Sequence, residues 1–120
     1  MSENPFSQAP APVPPDRVQI EGVGVNALEG KRLDVAVDLT PCLQPVNVEM
    51  VIVAPDDSEV SSILLIENRE WMLDKIMHLR QAAQAGEYTL HVGVFYEDEL
   101  TARAVRRFTF PPASLDDTHG

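Results

Sequence analysis

The feature that most restricts this chain is an alternation of apolar and polar residues at every second position, repeated in short runs between residues 17 and 110. Successive side chains of a strand point to opposite sides, so this spacing gathers the apolar residues on one face of an extended segment. Leu33, Val35, Val37 and Leu39 alternate with Asp34, Ala36 and Asp38. Val46, Val48, Met50 and Ile52 form a second set, Val60 to Ile66 a β-branched third, and Tyr88, Leu90, Val92 and Val94 a fourth. Val18 and Ile20 belong to an earlier strand, in which Gly22 and Gly24 mark a bulge or an edge kink. Turn residues divide the runs: Glu29-Gly30-Lys31, the loop from Pro41 to Pro45, and Ala54-Pro55-Asp56-Asp57-Ser58. Glu97-Asp98-Glu99 reads as a hairpin tip that returns the chain through Ala102, Ala104, Phe108 and Phe110.

The segment from Asn68 to Ala85 fits two periods. As a helix it has Asn68 as a cap, apolar residues at 72, 76, 79 and 83, and Gly86 at its C-terminal end, which makes the fold α+β. As a strand from about 71 to 80 it has Trp71, Leu73, Met77 and Leu79 on one face and Asp74 and His78 on the other, with Lys75 interrupting the inner row. Every flanking element is a strand, which favours the second reading. Seven strands with a turn signal about every eight to twelve residues predict an all-β, antiparallel, seven-stranded β-sandwich.

Particular residues carry a resemblance. Leu28-Glu29-Gly30-Lys31-Arg32-Leu33-Asp34-Val35, the run Val48 to Pro55, and His78-Leu79-Arg80 followed by Gly86-Glu87-Tyr88-Thr89-Leu90 resemble bacterial immunoglobulin-like or fibronectin type III-like modules, over roughly residues 17 to 112. The resemblance implies an immunoglobulin-like sandwich with Tyr88 at the tyrosine-corner position, where the sixth strand begins. It also implies that the third, sixth and seventh strands are neighbours in one sheet. Such modules act as interaction or spacer domains and bring no catalytic residues with them. The buried cysteine pair of antibody-type domains is absent, and the tryptophan stands at 71 rather than on the third strand, so no particular member is named.

With 120 residues, 44% of them hydrophobic, the chain is the size of one domain, expected over residues 16–112. Five of the ten prolines fall in residues 1–15, a flexible Pro-rich arm, and residues 113–120 read as a flexible acidic tail. Nine basic against nineteen acidic residues give a net charge of -10. A surface of that sign opposes nucleic acid, whose phosphates require cations, and an anionic membrane for the same reason. The single cysteine, Cys42, excludes an internal disulfide and a thiolate metal cluster within one chain. An acidic rather than basic start with no apolar run behind it, and no stretch long enough to span a bilayer, predict a soluble cytoplasmic protein.

No constellation points to catalysis. Cys42 lies in a Pro-bounded loop with no basic neighbour or helix N-terminus to ionise it. His78 and His91 fall on opposite sheets with outward parity, so they read as surface residues and not as a metal pair, and His119 lies in the tail. The acidic runs 56–59 and 97–99 lack the ligand spacing of a calcium loop, and Gly22-Val23-Gly24 lacks the third glycine of a dinucleotide motif. No metal and no cofactor is expected. Arg103, Arg106 and Arg107 read as an outward row paired with nearby acids, although Arg106 shares the inward parity of Phe108.

The informative oddity is apolar and outward. If Val48, Met50 and Ile52 face the core, Val51 and Val53 face away from it, and the same parity puts His91, Phe95 and Val105 outside. Three adjacent strands would merge Val51, Val53, His91, Phe95 and Val105 into one patch rimmed by charge, the mark of an interface. A bulge near Gly93 or Arg106, or a tail folded over the sheet, would hide it. The reading is therefore a non-enzymatic protein-interaction or structural module that self-associates, as a homodimer, through an apolar sheet face. Its partner is another protein or itself. The alternative is a small-ligand or cation-binding domain that uses its acidic loop tips.

Overall fold

The computed structural model describes residues 11–80 and 84–111, and within them the alternating runs become strands. These are β1 (Ile20–Ala27), β2 (Arg32–Leu39), β3 (Val46–Val53), β4 (Glu59–Asn68), β5 (Met72–His78), β6 (Gly86–Tyr96) and β7 (Glu99–Phe110). They form two antiparallel sheets, one ordered β1-β2-β5 and the other β4-β3-β6-β7. The protein is an all-β, seven-stranded antiparallel sandwich. Among the described residues the helical content is a single 3-10 turn over Pro15–Arg17.

The inward rows of β2, β3 and β6 named from the sequence are buried. Leu33, Val35, Val37 and Leu39 of β2 face Val48, Met50 and Ile52 of β3 and Tyr88, Leu90, Val92 and Val94 of β6 across the interior. Full burial of each such side chain contributes about 1.5–3 kcal/mol, which makes the two central strands of the larger sheet and β2 the frame of the fold. The ambiguous segment is β5, with Leu73, Met77 and Leu79 buried and Trp71 packed at the margin of the core. It pairs with β2 from Arg32↔His78 to Asp38↔Met72, so partnership in a sheet wins over helical propensity. Residues 81–83 lie outside the described part.

Local chemistry sets the turns. Gly30 has φ +73° in the β1–β2 turn, a backbone region that glycine enters without strain. Glu97 and Asp98 have φ of 50° and 68°, the paired positive values of a two-residue hairpin between β6 and β7. In the β3–β4 turn the Ser58 amide and hydroxyl both donate to the Asp56 carboxylate, at 3.0 and 2.6 Å. Those bonds hold the Asp56 pKa below its ordinary value. The turn also braces the entry to β6: a Cβ at Gly86, whose φ is +152°, would sit 2.8 Å from the Pro55 ring.

Tyr88 is fully buried, and its hydroxyl donates to the backbone carbonyl of Gln84, four residues upstream, at 2.5 Å. Its ring stacks on Phe108 and meets the edge of Phe110. Burial, helped by the Asp56 charge, pushes the Tyr88 pKa up and keeps the hydroxyl a donor.

The anticipated irregularity at the glycines of β1 is a register shift between Ile20 and Gly22. Val13, assigned from sequence to the Pro-rich arm, pairs in parallel with Cys42: its amide donates to Pro41 and its carbonyl accepts from Leu43, both at 2.8 Å. The first ten residues and the tail from 112 onward lie outside the described part.

Candidate functional site

Of the two sheets, the larger one presents the more apolar outer face. Its inward residues alternate with Asn47, Glu49, Val51 and Val53 on β3, and with Glu87, Thr89, His91, Gly93 and Phe95 on β6. Cross-strand register then aligns these residues in rows. Val51 pairs with His91 and His91 with Val105, so three of the five predicted surface residues lie in one row across β3, β6 and β7. Val53 lies one row away, opposite Thr89, and together with His91, Val105 and Arg107 it lines a shallow cleft of about 580 Å³. Phe95 lies at the far end of the same face, opposite Asn47 and Leu100.

The register shift feared for this face is present and harmless to it. It lies between Val94 and Phe95, but the extra residue is Thr101 on β7, whose hydroxyl donates to the Val94 carbonyl at 3.1 Å. Strand β6 keeps its alternation, and Phe95 stays outside. Gly93 is part of the arrangement. A Cβ there would lie 3.0 Å from the Phe95 ring and 3.4 Å from Leu100, so the missing side chain makes room for the Phe95 ring against the backbone beside Leu100.

Three further residues enlarge the patch beyond the sequence reading. Leu64 and Ile66 on β4 and Leu100 on β7 are 57%, 61% and 50% exposed, comparable to Val105 at 49%. Leu64 pairs with Glu49, and Ile66 borders Phe95 and Asn47 around a second cleft of about 310 Å³. The signal for Leu64 and Ile66 was their shared parity on the fourth strand. It was unusable without knowing that β4 pairs with β3 and not with the smaller sheet.

The arginines of β7 correct an expectation. Arg106 pairs with the inward-facing Leu90 in unbroken register, so its parity needs no slip. It sits where the two sheets part at the β7 edge and donates to the Val23 carbonyl of β1 at 3.2 Å. Arg103 and Arg107 face outward with Val105, and among the described residues neither has an ion-pair partner. The expected pairing with nearby acids is absent there.

The other sequence candidates do not assemble. His78 on β5 and His91 on β6 belong to different sheets. The β3–β4 turn sits at the Gly86 end of β6 and the Glu97-Asp98 tip at the opposite end, so the two acidic runs do not share a site. Among the described residues no group of three or more His, Cys, Asp or Glu side chains converges to hold a metal ion. On the smaller sheet Asp34 and Asp74 approach each other, and the hydrogen bond between them raises the Asp34 pKa, with burial and the neighbouring charge adding to it. Trp71, Met72, Leu39 and Pro41, with Glu21 and Asp38, line a cleft of about 360 Å³ at the end of that sheet. Among the described residues no helix is long and apolar enough to cross a membrane.

No protein-family model matches the chain, and no curated protein matches it in sequence. Solved structures match its fold. A glycosyl hydrolase family 2 member from Bacteroides cellulosilyticus is 14% identical with a TM-score of 0.52, over 81% of this chain and 16% of that one. A β-glucuronidase from Parabacteroides merdae is 16% identical with a TM-score of 0.56, over 77% of this chain and 14% of the enzyme. A β-glucuronidase from Ruminococcus gnavus is 10% identical with a TM-score of 0.53, over 78% and 16%. This chain spans about a sixth or less of each, and identities this low establish the β-sandwich alone.

Proposed function

We propose that the protein is a non-catalytic β-sandwich module that makes protein contacts through the outer face of its larger sheet. The observation that carries the reading is that exposed Leu64, Ile66, Leu100 and Val105 share one sheet face with half-buried Val51, Val53 and Phe95. A single exposed leucine needs no explanation, but several apolar side chains gathered on one sheet face among a few charges point to an interface. The strand order and the Tyr88 hydroxyl returning to a backbone carbonyl just upstream support the immunoglobulin-like resemblance. The likeness to a small part of large glycosidase chains fits an accessory sandwich better than a reaction centre. Among the described residues no nucleophile, base and orienting group come together.

The test is Phe95→Glu, which places a charge beside Leu100 and Ile66 on the face without altering a core residue. The parent chain should show a mass in light scattering that rises with concentration, whereas the variant should stay at the monomer mass of 13.3 kDa with an unchanged circular dichroism spectrum. A folded variant that keeps the parent's mass at every concentration removes the face from consideration.

A further inference from the structure

Charge is unevenly placed on the outer face, and the imbalance selects how a second copy can lie on it. One row across the sheet reads Glu59, Val53, Thr89, Arg107 from β4 to β7, and another reads Leu64, Glu49, Gly93, Arg103. Glu59 and Glu49 lie on the β4 and β3 side and the outward arginines on β7, while Glu87 of β6 lines the same cleft as Arg107. Among the described residues neither Arg103 nor Arg107 is paired, although the chain carries a net charge of -10.

Resting on the reading of this face as an interface, we propose that its partner is a second copy of the chain, related by a two-fold axis that runs in the interface parallel to the strands, between β3 and β6. That operation keeps the rows and exchanges the edges, so β7 lies over β4 of the second copy. Arg107 then meets Glu59 of the other molecule, Arg103 comes beside its Glu49, and Leu100 covers its Ile66. The contact is made twice, as a closed isologous pair requires. A two-fold across the strands instead lays each strand over its own copy and stacks the β7 arginines on one another, a like-charge arrangement that opposes docking. Packed sheets cross at roughly 30°, which leaves the order of the rows intact.

The dimensions suit a reversible pair. Four strands about 4.8 Å apart and eight residues at about 3.4 Å each give a face of roughly 19 by 27 Å. About 500 Å² per molecule, or about 1,000 Å² in all, is the lower bound of a specific interface.

The experiment is the dimer dissociation constant, measured by sedimentation for the parent chain, Arg107→Glu, Glu59→Arg, their combination, and Phe95→Glu. Each single charge reversal should weaken the dimer about tenfold or more, and the combination should return it to within about threefold of the parent. Glu59→Arg reduces the net charge from -10 to -8, so a nonspecific field effect would tighten the dimer where the proposed pairing loosens it. If Phe95→Glu abolishes association but the combined variant is no tighter than the singles, this orientation is wrong while the face stands. If Phe95→Glu leaves association unchanged, the reading of the face falls and the orientation with it. A parent chain that stays monomeric at millimolar concentration rules out the second copy as the occupant.

Discussion

Tyr88 shows how single residues in this molecule join the two ends of a turn to the core. Its ring fills the interior between Phe108 and Phe110 while its hydroxyl ties down the carbonyl of Gln84. Tyr88→Phe keeps the ring and deletes only that bond, so it should cost about 1 kcal/mol and lower the melting temperature by roughly 4–8 °C. Calorimetry on the two proteins reads the difference. Asp34 acts in the opposite sense. Its pKa is raised by the hydrogen bond with Asp74, so the folded state holds a proton that the unfolded chain releases nearer 3.8. The associated stability is fully present below pH 3.8 and is lost as the pH rises through the higher folded value, where two adjacent carboxylates repel. Asp34→Asn should therefore raise the melting temperature at pH 7, with the gain shrinking toward pH 3. Asp56, held below its ordinary pKa by Ser58, gives the reverse slope: its contribution is present above pH 3.8 and fades as the pH falls through its lowered value.

At the scale of the element, the β6–β7 hairpin folds with side chains that its turn does not favour. Glu97 and Asp98 both occupy positive φ, where Asn and Gly rest with less strain. Replacing them, by Glu97→Asn with Asp98→Gly, should stabilise the fold by about 0.5–1 kcal/mol, seen as a higher denaturant midpoint at an unchanged slope. The turn itself was legible from sequence, as were β2, β3 and β6, because a core strand with one wet face writes its parity into its own residues. β4 and β7 were less so. Two register shifts interrupt β3–β4 pairing, and Arg106 points inward at an open edge of the sandwich, a position that only the neighbouring sheet defines. Helix and strand competed over 68–85 because Leu79 satisfies both periods while Met72 and Ile76 fit the helical one; pairing with β2 decided it, and pairing is not local.

At the scale of the whole molecule, the central claim is that one face of the larger sheet makes protein contacts. Val51, Val53, His91, Phe95 and Val105 were legible as outward residues from parity alone, and the structure brings them onto a common face. Leu64, Ile66 and Leu100 escaped that reasoning because the sheet that β4 joins is set by its pairing with β3, and the place of Leu100 by the extra residue at Thr101. The smaller sheet has exposed apolar residues too, Met72 and Ile76, but Asp34, Asp38 and Asp74 are interspersed among them and its centre is Gly24 and Ala36. The most direct measurement is an amide chemical-shift map of the parent chain over a hundredfold dilution. The signals that move should belong to β3, β4, β6 and β7 and cluster around Val51, Leu64, His91, Phe95 and Val105. Shifts confined to β1, β2 and β5, or to the Trp71 cleft, would contradict the claim.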